Sequence, residues 1–297
     1  TEFYARNTLL PRPRRQAVSM VAQFEEIAAA LNELRPDILT AYGGFLDTFY
    51  RTAVARDVAL HRPKVVIFVG ECLPEDRRAW LEDVVGARVM SRYCAAEAFK
   101  IGYFCEERRG FHLHEDLCHV RLVDAAGRSV AGGEPGRVVL SNLVNHATVL
   151  LNQPMGDVAT LAREPCPCGR TQRLLGEVQG RVEDVLPLAS GESRAPRGGW
   201  AVFKDDRDVL QYQLVQLALG RFELKLATVD ASAFPAARDR AVAALRALLG
   251  PGSEIAASWH AELGREERAR TGKFRCVVSL LRDADRQPAR RAAAGAS

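Results

Sequence analysis

No stretch of this 297-residue chain approaches the ~18 consecutive apolar residues that a transmembrane helix needs. A charged n-region followed by an apolar h-region is also missing, so no secretory signal is read. Lysine is scarce: Lys64, Lys100, Lys204, Lys225 and Lys273 are the whole set, against a Lys+Arg total of 41. Such heavy Arg and Ala usage reflects coding bias better than a binding patch, and it makes each lysine conspicuous. The formal net charge is only +4, which by itself argues for neither a nucleic-acid nor a membrane partner. Seven cysteines, an odd number spread over a long chain, do not make a disulfide framework; a reducing cytoplasm is the expected location. No internal repeat or low-complexity core is visible.

What is present is enough apolar material, 47% of residues, for one large domain or two smaller ones. The chain starts at Thr1 inside ordinary globular sequence, so a fragment lacking an N-terminal portion is expected. After an irregular lead-in with Pro11 and Pro13, the spacing predicts a helix over 17–33, ended by Arg35-Pro36. ILTAY (38–42), a helix from Gly43-Gly44, the β-branched run VVIFVG (65–70), a helix over 75–84 and ARVMSRY (87–93) read as strand and helix in alternation, hence parallel α/β. Beyond residue 100, short strands such as 119–124 and 136–143 sit between Gly-rich turns and predict a β-rich, antiparallel segment. The rest, including a helix over 236–249, reads as a small α+β unit with a disordered tail from about residue 286.

The densest chemistry is Cys105-x6-His112 together with Cys166-Pro-Cys168-Gly-Arg170. Three thiols and an imidazole can close a tetrahedral zinc site, and Pro167 and Gly169 suit a turn aiming both sulfurs inward. Buried free cysteines beside a surface histidine are the alternative, and His114, Cys118 and His119 lie near enough to compete. Tyr93-Cys-Ala-Ala-Glu97 and Gly70-Glu71 each follow a strand, where ligand sites gather in α/β sheets. Glu97 suits Mg²⁺ or simply a helix N-terminus. Asp157, in Met-Gly-Asp, and Arg181, in Gly-Arg-Val-Glu-Asp184, suit sugar or phosphate contacts, or plain turn chemistry. Lys273 lies in a Gly turn that would let it reach into a cleft.

In order, VGECL (69–73), YCAAE (93–97), Cys105 to His112, GEPGRVVLSNL (133–143), MGD (155–157), CPCGR (166–170), GRVED (180–184) and GKFR (272–275) resemble the phenylacetate–CoA ligase group of adenylate-forming enzymes. The nearest branch is the capsular-polysaccharide-biosynthesis type, and the likeness covers roughly residues 30–282. The resemblance implies the adenylate-forming, acyl-CoA synthetase-like fold, N-terminally truncated. Residues 1–179 would be the later part of the large adenylating domain and 180–297 the small mobile domain.

It also implies that ATP activates an aryl or acyl carboxylic acid as an acyl-adenylate. A thiol such as that of coenzyme A then takes the acyl group, and AMP leaves. By resemblance, Gly70 and Glu71 line the adenine pocket, Tyr93 stacks on the adenine, Glu97 holds Mg²⁺, and Asp157 and Arg181 meet the ribose. Asp184 is the hinge, Lys273 the mobile catalytic lysine, and Cys105, His112, Cys166 and Cys168 hold a structural zinc. Partners are then a small acid and a nucleotide, with no nucleic acid and no membrane; a homodimer is one option for assembly.

The chain departs from the pattern in four respects. No Ser/Thr/Gly-rich phosphate loop occurs in residues 1–34; Ala96 stands where a Thr is usual; Asn152-Gln153 replace an Arg-Tyr pair; and the turn after Asp184 carries Leu186-Pro187 in place of a Gly-rich continuation. The rival readings are a catalytically silent, zinc-stapled binding module of the same fold, and an adenylating enzyme with a non-CoA acceptor in polysaccharide or natural-product biosynthesis.

Overall fold

Alternating apolar runs and amphipathic segments at the start of the chain build a parallel ladder. The computed structural model describes residues 14–71, 73–176, 178, 180–181, 185–194, 199, 202–203, 206–264 and 273–281. Strands β1 (Ile38–Tyr42), β2 (Val65–Val69) and β3 (Arg88–Tyr93) pair in parallel and in chain order. Helices α2 (Gly43–Ala55) and α3 (Glu75–Val85) make the crossovers. Glu75 and Asp76 in the first turn of α3 complement its dipole, and Gly86, at φ 71, ends it in the left-handed conformation that a Cβ disfavours.

The first helix, α1, spans Phe24–Leu34 and is shorter than the 17–33 that spacing predicts. Apolar residues continue back to Ala17, but Gln23 is extended (φ −65, ψ 150), offers no side-chain cap, and the preceding backbone forms a turn from Ser19 to Ala22.

The sheet does not stop at residue 100, as the change in pattern predicts. Strands β4 (Gly102–Phe104), β5 (Phe111–Leu113) and β9 (Leu174–Leu175) extend it antiparallel, giving the order β1-β2-β3-β4-β5-β9. A second, antiparallel sheet follows: β6 (Cys118–Val123), β7 (Pro135–Asn142), β8 (Gln153–Thr160) and β10 (Gly180–Arg181), in the order β10-β8-β7-β6. Phe68, Val89, Phe104, Val120 and Leu140 belong to one core shared by both sheets.

Short strands β11 (Leu186–Pro187) and β12 (Ser193–Arg194) then lead into a separate unit. There β13 (Val209–Ala218) and β14 (Arg221–Thr228) form a hairpin turned at Gly220, φ 72. Helix α4 (Phe234–Leu249) carries the chain across to β15 (Glu254–Trp259), and β16 (Val277–Ser279) completes the order β15-β14-β13-β16. Ala237, Ala241, Leu245 and Leu249 recur every fourth residue, so one stripe of α4 faces β14 and β15. Leu186 and Leu188 already pack in this second core. Gly180–Arg181, where the second unit is expected to begin, is hydrogen-bonded to β8 of the second sheet. The expected hinge residue Asp184 and the expected tail from about 286 lie outside the described residues.

The two units meet through buried cations. Arg51 of α2 donates to the Asp206 carbonyl at 2.8 Å, and Arg77 of α3 to the Phe203 carbonyl at 2.8 Å. Asp47 lies 4.0 Å from Arg77, and burial pushes its carboxyl above the ordinary range. Arg77→Ala leaves Asp47 without its strongest compensating charge and takes one of two donors from the Phe203 carbonyl, the other being Asp206 N at 3.3 Å. Breaking a buried pair in this way costs about 3–5 kcal/mol, so the variant should unfold at distinctly lower urea. A coincident wild-type transition would contradict this account of the interface.

Candidate functional site

The ends of β2 and β3, the β8–β10 ladder and the small unit bring several side chains near one another. At the end of β2, Gly70 has φ 69 and is pressed by its neighbours: a Cβ there would stand 2.8 Å from the Tyr42 ring and 3.6 Å from Lys273 Cε. Only a glycine lets these side chains approach that closely. Next in sequence, Glu71 accepts from Gly44 N at 3.1 Å, at the start of α2, and from Phe274 N at 3.0 Å, in the small unit.

At the end of β3, the Tyr93 hydroxyl donates to Asp157 Oδ2 at 2.7 Å. Its ring is only 9% exposed and packs on Phe111, at 5.9 Å between centroids. Arg181 stands opposite Asp157 in the β8–β10 ladder, with Nε 3.7 Å from Oδ1. Burial pushes the Asp157 carboxyl above its ordinary value, against the Tyr93 hydrogen bond and the charges of Arg181 and Lys273. Burial, with Asp157 beside it, also drives the Tyr93 phenol up, so it stays a neutral donor. The negative charge of Glu97 is felt at both groups. The structure thus brings Gly70, Glu71, Tyr93, Glu97, Asp157, Arg181 and Lys273 together.

Because the folded Asp157 carboxyl titrates above its unfolded value, the folded state holds its proton longer. Stability is therefore lost as pH rises from the unfolded to the folded pKa, and the deficit persists above that window. Asparagine resembles the protonated acid. Asp157→Asn should accordingly melt at or above wild type at pH 7, with the gap closing below about pH 4. A gap that widens in acid would show the opposite linkage.

Asn142, at the end of β7, is a site residue that the motifs do not single out. Its Nδ2 donates to the Glu97 carbonyl at 2.8 Å, while its Oδ1 accepts from Val144 N and Asn145 N. It fixes the turn that carries Glu97. Its sequence signal is a place inside the GEPGRVVLSNL stretch (133–143), as the asparagine that closes an apolar strand.

On another side of the mixed sheet, Cys105 follows β4, His112 sits in β5, and Cys166 and Cys168 flank a turn closed by Gly169, φ 80. Their ligand atoms all lie within 4.8 Å of one another. Cys105 Sγ and Cys166 Sγ are 3.6 Å apart, and Cys168 Sγ is 3.4 Å from His112 Nε2. In a tetrahedral shell with metal–sulfur bonds of about 2.3 Å, ligand atoms stand about 3.7 Å apart. The donor set therefore fits a zinc-sized ion. His112 is fully buried with Nδ1 lacking a hydrogen-bond partner, and burial holds the imidazole below its ordinary value, in the neutral form a ligand needs. The competitors stay out: Cys118 Sγ donates to the His114 carbonyl, His114 packs on Tyr103, and His119 is exposed.

No protein-family model matches the chain. Over 162 residues, 52% of the chain, it is 26% identical to a phenylacetate–coenzyme A ligase from Thermus thermophilus, of which the match covers 36%. Among solved structures, a 2-hydroxyisobutyryl-CoA ligase in its postadenylation state superposes over 92% of this chain and 59% of its own, with TM-score 0.69 and 21% identity. The same protein in an open conformation gives 0.51, over 80% of this chain and 55% of its own. An anthranilate CoA ligase with bound anthranoyl-AMP gives 0.59 at 13% identity, covering 86% of this chain and 53% of its own. The chain thus spans little more than half the length of these solved relatives. The chain shares the fold of these CoA ligases, and over 162 residues its sequence is similar to that of a phenylacetate–coenzyme A ligase.

Proposed function

We propose that this chain carries the nucleotide cleft of an AMP-forming acid–thiol ligase. The acid is activated on ATP as an acyl-adenylate with release of pyrophosphate, and the acyl group then passes to a thiol, that of coenzyme A, with release of AMP. The observation that carries this reading is the meeting of Tyr93, Glu97, Asp157 and Arg181 from the large unit with Lys273 from the small one. The solved neighbours named above bind acyl-adenylates, which agrees with it.

In this reading Asp157 accepts from the ribose hydroxyls, with Tyr93 and Arg181 fixing its two oxygens. Gly70 leaves room at the base of the adenine pocket. The carboxylate of the acid and the α-phosphate are both anionic. Lys273 spreads that charge from the small unit, and Glu97 holds Mg²⁺, which when bound supplies the remaining positive charge. Arg51 and Arg77 hold the small unit where Lys273 reaches the cleft. The four-ligand cluster holds a structural zinc, since a closed shell leaves no position for substrate. A reducing cytoplasm would keep its thiols free.

Pyrophosphate exchange with ATP and a panel of aryl and fatty acids tests the proposal. Exchange with at least one acid is expected. No exchange with any acid, together with no ATP binding, would favour the catalytically silent module.

A further inference from the structure

We propose that Glu71 is a positioning residue that docks the lysine-bearing segment of the small unit onto the nucleotide cleft. Its Oε2 accepts Gly44 N, at the first turn of α2, and its Oε1 accepts Phe274 N, 203 residues away in sequence. Phe274 directly follows Lys273, whose Cε lies against Gly70, the residue before Glu71. One carboxylate therefore ties a helix start in the large unit to the backbone beside the catalytic amine.

Only an ionised carboxylate serves both ends. Each oxygen meets a backbone N–H, so an amide side chain would satisfy one and turn its own NH₂ toward the other. Hydrogen bonds to a charged acceptor are among the stronger ones in proteins. The link is also made to the main chain, so it fixes where the Lys273 Cα starts. Phe274 itself is anchored, 7% exposed and packed with Leu263 and Ala227, so the docked backbone is continuous with the small unit's core.

The role of Lys273 rests on the proposed ligase reading; the docking contact does not. The test therefore has two arms on the whole protein. In amide hydrogen exchange, Glu71→Ala should speed exchange at Phe274 by about tenfold, the factor that losing one such bond gives. Amides inside the β13–β14 ladder should keep wild-type rates, and Glu71→Gln should fall between. In the kinetic arm, using the acid most active in pyrophosphate exchange, Glu71→Ala should slow acyl-adenylate formation by about tenfold. Glu71→Gln, which keeps one of the two bonds, should lose less. Wild-type exchange in the β13–β14 ladder separates positioning from damage to the fold, and faster exchange there in step with the rate loss overturns the positioning role. Unchanged Phe274 exchange overturns the docking, and lost protection with undiminished adenylation overturns the positioning role. A protein that makes no acyl-adenylate overturns the ligase reading, while the exchange arm still decides whether Glu71 docks the segment.

Discussion

Replacing Cys166 and Cys168 with serine should empty the thiolate cluster and lower the melting temperature by roughly 10 °C, a stability loss of about 3–5 kcal/mol comparable to that of a native disulfide. A serine hydroxyl does not ionise at neutral pH and is a poor match for zinc. The size of the effect follows from how little apolar packing holds that region: among the described residues the cluster is Cys105, Cys166 and Leu174, with Cys168 against it. Backbone hydrogen bonds of the β5–β9 pair also cross the region, and its ion pairs, Arg170 with Glu106 and Arg173 with Glu115, have all four side chains at least 38% exposed. Pairs that open to solvent contribute little.

The cluster also joins distant pieces of chain. Cys105 and His112 come from the antiparallel β4–β5 pair of the mixed sheet, while Cys166 and Cys168 come from the connection between β8, in the second sheet, and β9. An ion there would staple one sheet to the route into the other. Elemental analysis should find about one zinc per wild-type chain and none in the double variant. A wild-type protein that is metal-free yet melts where the chelated one does would remove the staple. His112→Ala should lose metal as well, whereas His119→Ala should not.

How much of this was readable from the chain depends on range. The β-branched run at 65–69 and the strand–helix alternation around it needed only local periodicity, and β1 to β3 follow it closely. The cysteine–histidine set was readable because residue type and turn chemistry carry most of the information. The assignment of β4, β5 and β9 to the parallel sheet was not. Those strands are two or three residues long, and their pairing is set by what lies beside β3 rather than by their own pattern. The unit interface was equally hidden. Arg51 and Asp206 are 155 positions apart, and nothing local distinguishes Arg51 from the other arginines of a chain so rich in them. Glu71 was readable as a site residue, yet its use of both oxygens for backbone docking appears only once α2 and the small unit are in place.

Lys273→Ala should slow adenylation by about 10²–10³-fold, the range seen when a fixed charge-stabilising group is removed. Folding and nucleotide affinity should change little. Lys273 is an exposed residue, so its truncation leaves no cavity. The amine nonetheless sits where charge matters. Its Cε is beside Gly70, and its positive charge is felt at the buried Asp157. Attack of a carboxylate on a phosphate concentrates negative charge at the point of bond formation, and that charge is larger in the transition state than in the bound substrates. An ammonium delivered there lowers the barrier without tightening ground-state binding, so kcat should fall while the ATP dependence holds. Arginine should rescue poorly, because its planar fork places charge differently from a compact ammonium. The same variant should still form thioester from added acyl-adenylate, because the lysine's charge is needed only while the phosphate is under attack. Single-turnover measurement of both half-reactions decides the matter: equal loss in both would make Lys273 a general structural residue, and full activity in both would place the catalytic cation elsewhere.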